Sequence, residues 1–133
     1  MRPKTFSAID IVSCIITVLL LLFLFIYPHV RLNRMQEDIV PLCDRVIEAA
    51  DAENWEEALA RAQEIHARFA KDERLMRLIF DHEDVDNALD SIETMLLMVR
   101  QRGAPETTIE TENVRGIVTY LAGIETLTMT NLF

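Results

Sequence analysis

The sequence predicts an all-α protein: one N-terminal transmembrane helix followed by an antiparallel four-helix soluble domain built from two hairpins. Three observations predict it. The run from Ala8 to Tyr27, AIDIVSCIITVLLLLFLFIY, is 20 residues long. At about 1.5 Å per residue that spans a hydrocarbon core about 30 Å thick. Beyond it, apolar residues recur at steps of three and four, the period of an amphipathic helix. Glycine and proline are scarce, three and four in 133 residues, which disfavours a loop-rich or all-β chain. The expected order is a short tail over 1–7, the anchor over 8–27, a helical domain over 28–126 and a C-terminal tail over 127–133.

The anchor comes first. A helix satisfies its own backbone donors and acceptors in lipid, so a single span is viable. A cleaved signal peptide would have a shorter apolar region and a small-x-small cleavage site. Here the run ends in Phe25, Ile26, Tyr27, Pro28, His29 and Val30, so the anchor is expected to stay. Ser7 and Asp10 have the spacing of a capping box. That puts Asp10 at headgroup level rather than deep in lipid as a carboxylate awaiting a partner or a proton. Arg2 and Lys4 precede the span and Arg31 and Arg34 follow it. The terminal amine and the short tail tip the balance towards a cytoplasmic N-terminus. The expectation is a single-pass plasma-membrane protein with an extracytoplasmic helical domain.

The first soluble helix is expected over Val30 to Ala50, with Leu32, Met35, Ile39, Leu42, Val46 and Ala49 on one face. Pro28 separates it from the anchor or kinks the junction, and Pro41, off the stripe, bends it without stopping it. Asn54 and Glu57 have capping spacing, so a second helix starts there and runs to Phe69. Trp55, the only tryptophan, is expected to cement this hairpin. Ala70 to Glu73 reads as a turn with Asp72 as N-cap. The third segment, Glu73 to Arg102, carries Leu75, Leu78, His82, Val85, Leu89, Ile92, Leu96 and Val99 in a heptad-like rhythm and stops at Gly103. Gly103 to Glu106 reads as a loop. A fourth helix then runs from Thr107 to Glu125, with Val114, Ile117, Leu121 and Ile124 inward. Gly116 and Gly123 share a face, either for close helix approach or as tolerated weak positions. The end, TLTMTNLF, reads as an extended tail. A stacked tetratricopeptide pair is the nearest alternative, but the third segment overruns that repeat and no internal repeat is visible.

The formal net charge is −9, and residues up to Tyr27 contribute only Arg2, Lys4 and Asp10. The acidity therefore belongs to the soluble part, which nucleic acid and anionic surfaces repel. The two cysteines form no disulfide framework. Cys14 lies in the span, and Cys43 reads as a small buried hydrophobe, with an intermolecular bridge as the alternative. No phosphate loop, G-x-S-x-G, HExxH or CxxC is present, and no acid, base and nucleophile set is apparent, so no enzyme is expected. One constellation stands out. His82 and Asp86 are i, i+4 on a helix, with Glu83 and Asp90 near. Imidazole and carboxylate suit a divalent metal, but a closed site needs three or four ligands. The favoured reading is His82 on the core stripe with the acids in water, and no metal or cofactor is expected. Met95, Met98 and Met129 read as gap-fillers rather than thioether ligands.

A single N-terminal span, the stretch Asn54-Trp55-Glu56 with Ala58, the segment Asp81-His82 with Asp86, and the ending Asn131-Leu132-Phe133 resemble the domain of unknown function 4363 family. The resemblance implies a small membrane-anchored protein of Gram-positive bacteria with no assigned activity, cofactor or catalytic residue. The expected function is a non-catalytic accessory protein that binds another membrane or envelope protein. Trp55, His82, Asp86, Asn131, Phe133 and the Gly116/Gly123 surface are its candidate contacts. The alternative is a ligand- or metal-sensing domain centred on His82 and Asp86.

Overall fold

The computed structural model describes residues 7–130, the last six by backbone only. Among them it has four helices and no strand: α1 (Ala8–Asp51), α2 (Trp55–Ile79), α3 (His82–Gln101) and α4 (Ala104–Thr130). The apolar run and the first bundle helix are one unbroken helix. Pro28 and Pro41 both lie inside α1, each removing one backbone donor without ending it. The helix starts at the predicted capping box. Ser7 Oγ accepts from the Ile9 amide at 3.2 Å, and Asp10 Oδ2 accepts from the Ser7 amide at 3.0 Å.

The helices form an up-down-up-down bundle. α2 packs on α1 and α3, and α4 packs on α3 and closes the ring on α1. The connections are two or three residues long, and such short loops force antiparallel neighbours. Both loops distal to the apolar run use the same device. Asn54 N–H donates to Ala49 C=O and Glu53 N–H to Ala50 C=O; Gly103 N–H donates to Met98 C=O and Arg102 N–H to Val99 C=O. These are paired Schellman bonds, with Glu53 (φ 55°) and Arg102 (φ 59°) in the left-handed position. Asn54 then caps α2 as predicted, its Oδ1 accepting from the Glu57 amide at 3.3 Å.

The core runs along the bundle axis. Leu32, Met35, Ile39, Cys43 and Val46 from α1 meet Ala58, Ala62, Ile65, Phe69 and Met76 from α2, with Val85, Ile92, Met95, Val114 and Leu121 opposite. The alanines at 58 and 62 let α2 approach its neighbours closely. Trp55 is half-buried against the core, as the hairpin reading expected.

Three sequence-based boundaries are corrected. α2 does not turn at Ala70 to Glu73 but continues to Ile79, so the long third segment is two helices broken at Phe80–Asp81. Phe69, Asp72 and Met76 hold the buried phase, while Leu78 is exposed. The break has its own signal: Asp81 with Asp84 three residues on repeats the capping spacing, and both Phe80 and Asp81 are extended. α4 starts at Ala104, not Thr107, because Pro105 fits a first helical turn. Thr107 and Thr111 are therefore inside the helix and buried. The backbone also stays helical to Thr130, through most of the predicted extended tail. Residues 124–130 contain no glycine or proline, and β-branched residues cost only a few tenths of a kcal/mol each in a helix.

Candidate functional site

The predicted pair comes first. His82 opens α3 and is exposed, not on the core stripe. It drops out because the break at Phe80–Asp81 makes it the first residue of α3, at the end of the bundle, while Val85, Ile92, Leu96 and Val99 of the predicted stripe are buried and Ala88 joins them. Asp86 is also exposed, and its Oδ1 accepts from Arg77 Nη2 at 2.7 Å across the α2–α3 corner. Arg77 also donates to Glu73 Oε1 at 2.9 Å. These bonds to Glu73 and Asp86 hold the Arg77 pKa above its ordinary value. Asp86 is thus a partner for an arginine. Among the described residues no three His, Cys, Asp or Glu side chains come together as a metal-binding group.

The strongest polar assembly is one that sequence reading missed. Asp72 is buried between α1 and α2, only 2% exposed. It pairs with Arg31, whose Nε donates to Oδ1 at 2.9 Å. Arg68 Nη1 donates to its Oδ2 at 2.5 Å, and Arg68 Nε donates to Asp38 Oδ2 at 2.6 Å. Burial works against the Arg68 charge, yet the hydrogen bonds to Asp38 and Asp72 prevail and its pKa rises. The i, i+4 spacing of Arg68 and Asp72 was legible; the contribution of Arg31, 41 positions away, was not. A buried carboxylate held by two guanidiniums is chemically quiet. It fixes the register of α1 on α2.

A second clasp joins α1 to α4 through Arg115 and Asp44, with Arg115 Nε 3.2 Å from Glu112 Oε2. The Arg115 pKa is raised, first by the bond to Asp44. Next to it lies Cys43, fully buried. Burial pushes its thiol up to about 12, against the smaller opposing pull of Arg115. This agrees with the small-hydrophobe reading and makes Cys43 a poor nucleophile.

Gly116 and Gly123 face outward, and a methyl at either would meet nothing within 4 Å. They do not serve close helix approach within the bundle. With Thr119 and Tyr120 they leave the outer face of α4 uncharged from 116 to 123. A shallow groove of about 800 Å³ between α2 and α3 is lined by Gln63, His66, Asp90, Glu93, Thr94 and Arg100. Asn131 and Phe133 lie outside the described residues, and Met129 is among those described by backbone only.

The family model described as Domain of unknown function (DUF4363) matches residues 26–132. The chain belongs to the DUF4363 family. The matched region begins at the last turn of the apolar run and takes in the whole bundle, so the family unit is the helical domain with its lead-in. Curated proteins and solved structures yield no match to this DUF4363 chain. Among the described residues α1 is the one helix long and apolar enough to cross a membrane. Every described residue up to Tyr27 is exposed, unlike the core helix of a water-soluble protein, which buries its apolar face.

Proposed function

We propose that this DUF4363 protein is a single-pass, membrane-anchored accessory protein without catalytic activity, whose helical domain binds another membrane or envelope protein. The observation that carries the reading is the continuity of α1. The same helix that exposes its apolar half buries Leu32, Met35, Ile39, Cys43 and Val46 in the bundle core. Cutting it as a leader near Tyr27 would sever a helix in mid-course, and the residues there offer no cleavage site. Arg2 and Lys4 ahead of the span accord with a cytoplasmic N-terminus, which would set the acidic domain outside the plasma membrane. The uncharged outer face of α4 supports a protein contact, since interface centres are depleted in charge. Purification from native membranes in a mild detergent tests the proposal. A second protein recovered in constant ratio is expected. Repeated recovery of the chain alone, with and without cross-linker, overturns it.

A further inference from the structure

We propose that the α2–α3 corner is a second membrane contact, with Leu78 and Ile79 inserting into the surface of the same bilayer that holds α1. This rests on the membrane reading of α1. The register between α1 and α2 is fixed by two long-range pairs, Arg31 with Asp72 and Asp38 with Arg68. The helices are antiparallel, and each advances about 1.5 Å per residue. Continuing that register brings Leu78 level with the stretch from Phe25 to Pro28. That stretch ends the apolar run. Tyr27, stacked on Phe23 at 5.2 Å, sits where aromatic residues mark the membrane interface. The corner therefore reaches the depth at which lipid begins.

The side chains at the corner suit that depth. Leu78 is 84% exposed, more than any other large hydrophobic residue described, the apolar run included, and Ile79 is 38% exposed. Phe80 next to them packs against the core and ties the corner to the bundle. Lys71 and Arg74 are exposed on α2, and Arg34 on α1. They lie further from the apolar run, at the height of lipid phosphates. The N-cap Asp81, Glu83 and Asp84 of the first turn of α3, and Asp86 just beyond it, lie at the same end, with Arg77 held by Glu73 and Asp86. Carboxylates there oppose attraction to an anionic surface, so the contact is apolar and a neutral bilayer suffices. Asp81 makes no side-chain cap hydrogen bond. The open N–H groups of the first turn of α3 stay with water, which limits insertion to the two aliphatic side chains.

The test uses the full chain, with Cys14→Ser, in phosphatidylcholine vesicles. An environment-sensitive fluorophore is placed singly at Leu24→Cys, Asp81→Cys or Gln101→Cys, and quenched by phosphatidylcholine carrying a nitroxide near the headgroup. Gln101 ends α3, about 30 Å from the corner. The Leu24 and Asp81 labels are expected to be quenched several-fold more than the Gln101 label. Adding Leu78→Asn with Ile79→Asn should return the Asp81 label to the Gln101 level. Both side chains are exposed, and unchanged helicity of the double variant shows that the bundle is intact. Quenching at Leu24 with an Asp81 label as accessible as Gln101 overturns the corner contact and leaves the anchor standing. Quenching at Asp81 that ignores the double variant also overturns it, because the corner is then near lipid without inserting. An unquenched Leu24 label removes the anchor, and this proposal with it.

Discussion

Replacing Asp72 by asparagine separates two accounts of the same residue. As a helix N-cap, asparagine is as good as aspartate, and the change would cost under about 0.5 kcal/mol. As the buried carboxylate between Arg31 and Arg68, Asp72 cannot lose its charge so cheaply. Removing one partner of a buried ion pair costs about 3–5 kcal/mol, chiefly through the charge left behind. The side chains of Arg31 and Arg68 keep 30% and 16% of their exposure, and Arg68 retains Asp38. Solvent screening and the remaining partner reduce the cost to about 2 kcal/mol for Asp72→Asn and about 3 for Asp72→Ala.

Urea unfolding of the full chain in detergent micelles, followed by Trp55 fluorescence, reads this directly. Trp55 is the only tryptophan and lies against the bundle core, so its signal reports the bundle and not the exposed apolar half of α1. A midpoint shift at constant slope gives the free-energy change. If orphaned charge is the cause, the triple change Arg31→Met, Arg68→Met, Asp72→Leu returns to within about 1 kcal/mol of wild type. An Asp72→Asn variant as stable as wild type refutes the buried-charge argument. A triple variant no better than Asp72→Ala shows that the cost lies in shape rather than charge.

Three further outcomes are expected. Cys43 should resist maleimide in the folded chain at neutral pH and react once urea unfolds the bundle; rapid labelling of folded protein contradicts its burial. Its thiol has an ordinary value of 9.0 and a folded value of about 12. The folded state thus holds the proton more tightly, and that stabilisation, complete below pH 9, drains as pH rises towards 12. Cys43→Ala should show a shallower loss of stability over that window than wild type. Glu53→Gly and Arg102→Gly should each raise stability by up to about 1 kcal/mol, since both residues hold a left-handed conformation that glycine adopts freely. A lower urea midpoint for either variant argues against strain at these two loops.

The helix-forming pattern was legible because burial and periodicity coincide over most of the chain. Leu32, Met35, Ile39, Val46 and Ala49 were readable as one stripe and are one buried stripe. Ser7 and Asn54 were readable as caps and make the bonds that capping requires. The errors cluster where a polar residue has two uses. Asp72 looks like a cap because aspartate caps helices, but α1 supplies Arg31 and makes the same side chain a core ion partner. Asp81, the residue at the actual break, was hidden inside a heptad rhythm that Leu78 and His82 happened to continue. A rhythm of apolar residues says nothing about phase across a break of two residues. The site was less legible than the fold. His82 and Asp86 share a turn, yet nothing in their spacing discloses that Arg77, from the preceding helix, takes Asp86.

The two outward glycines of α4 decide how far the domain is scaffold and how far contact surface. Within the bundle alone, Gly116→Ala and Gly123→Ala should each stabilise by about 0.5–1 kcal/mol. Added methyls meet nothing within 4 Å, and alanine loses less backbone entropy in a helix. Glycine kept at such positions is a cost to the isolated fold. A partner helix lying along the uncharged face from Gly116 to Gly123 gives that cost a purpose, because small residues let backbones approach closely. The two measurements should then oppose each other. The double alanine variant should show a higher urea midpoint and a reduced yield of any protein recovered with it from native membranes. A higher midpoint with undiminished recovery places the contact elsewhere, and a lower midpoint shows that the glycines serve the bundle itself. The face runs down α4 towards the end at which the apolar half of α1 leaves the bundle, so the same experiment shows whether that helix and this face serve one neighbour.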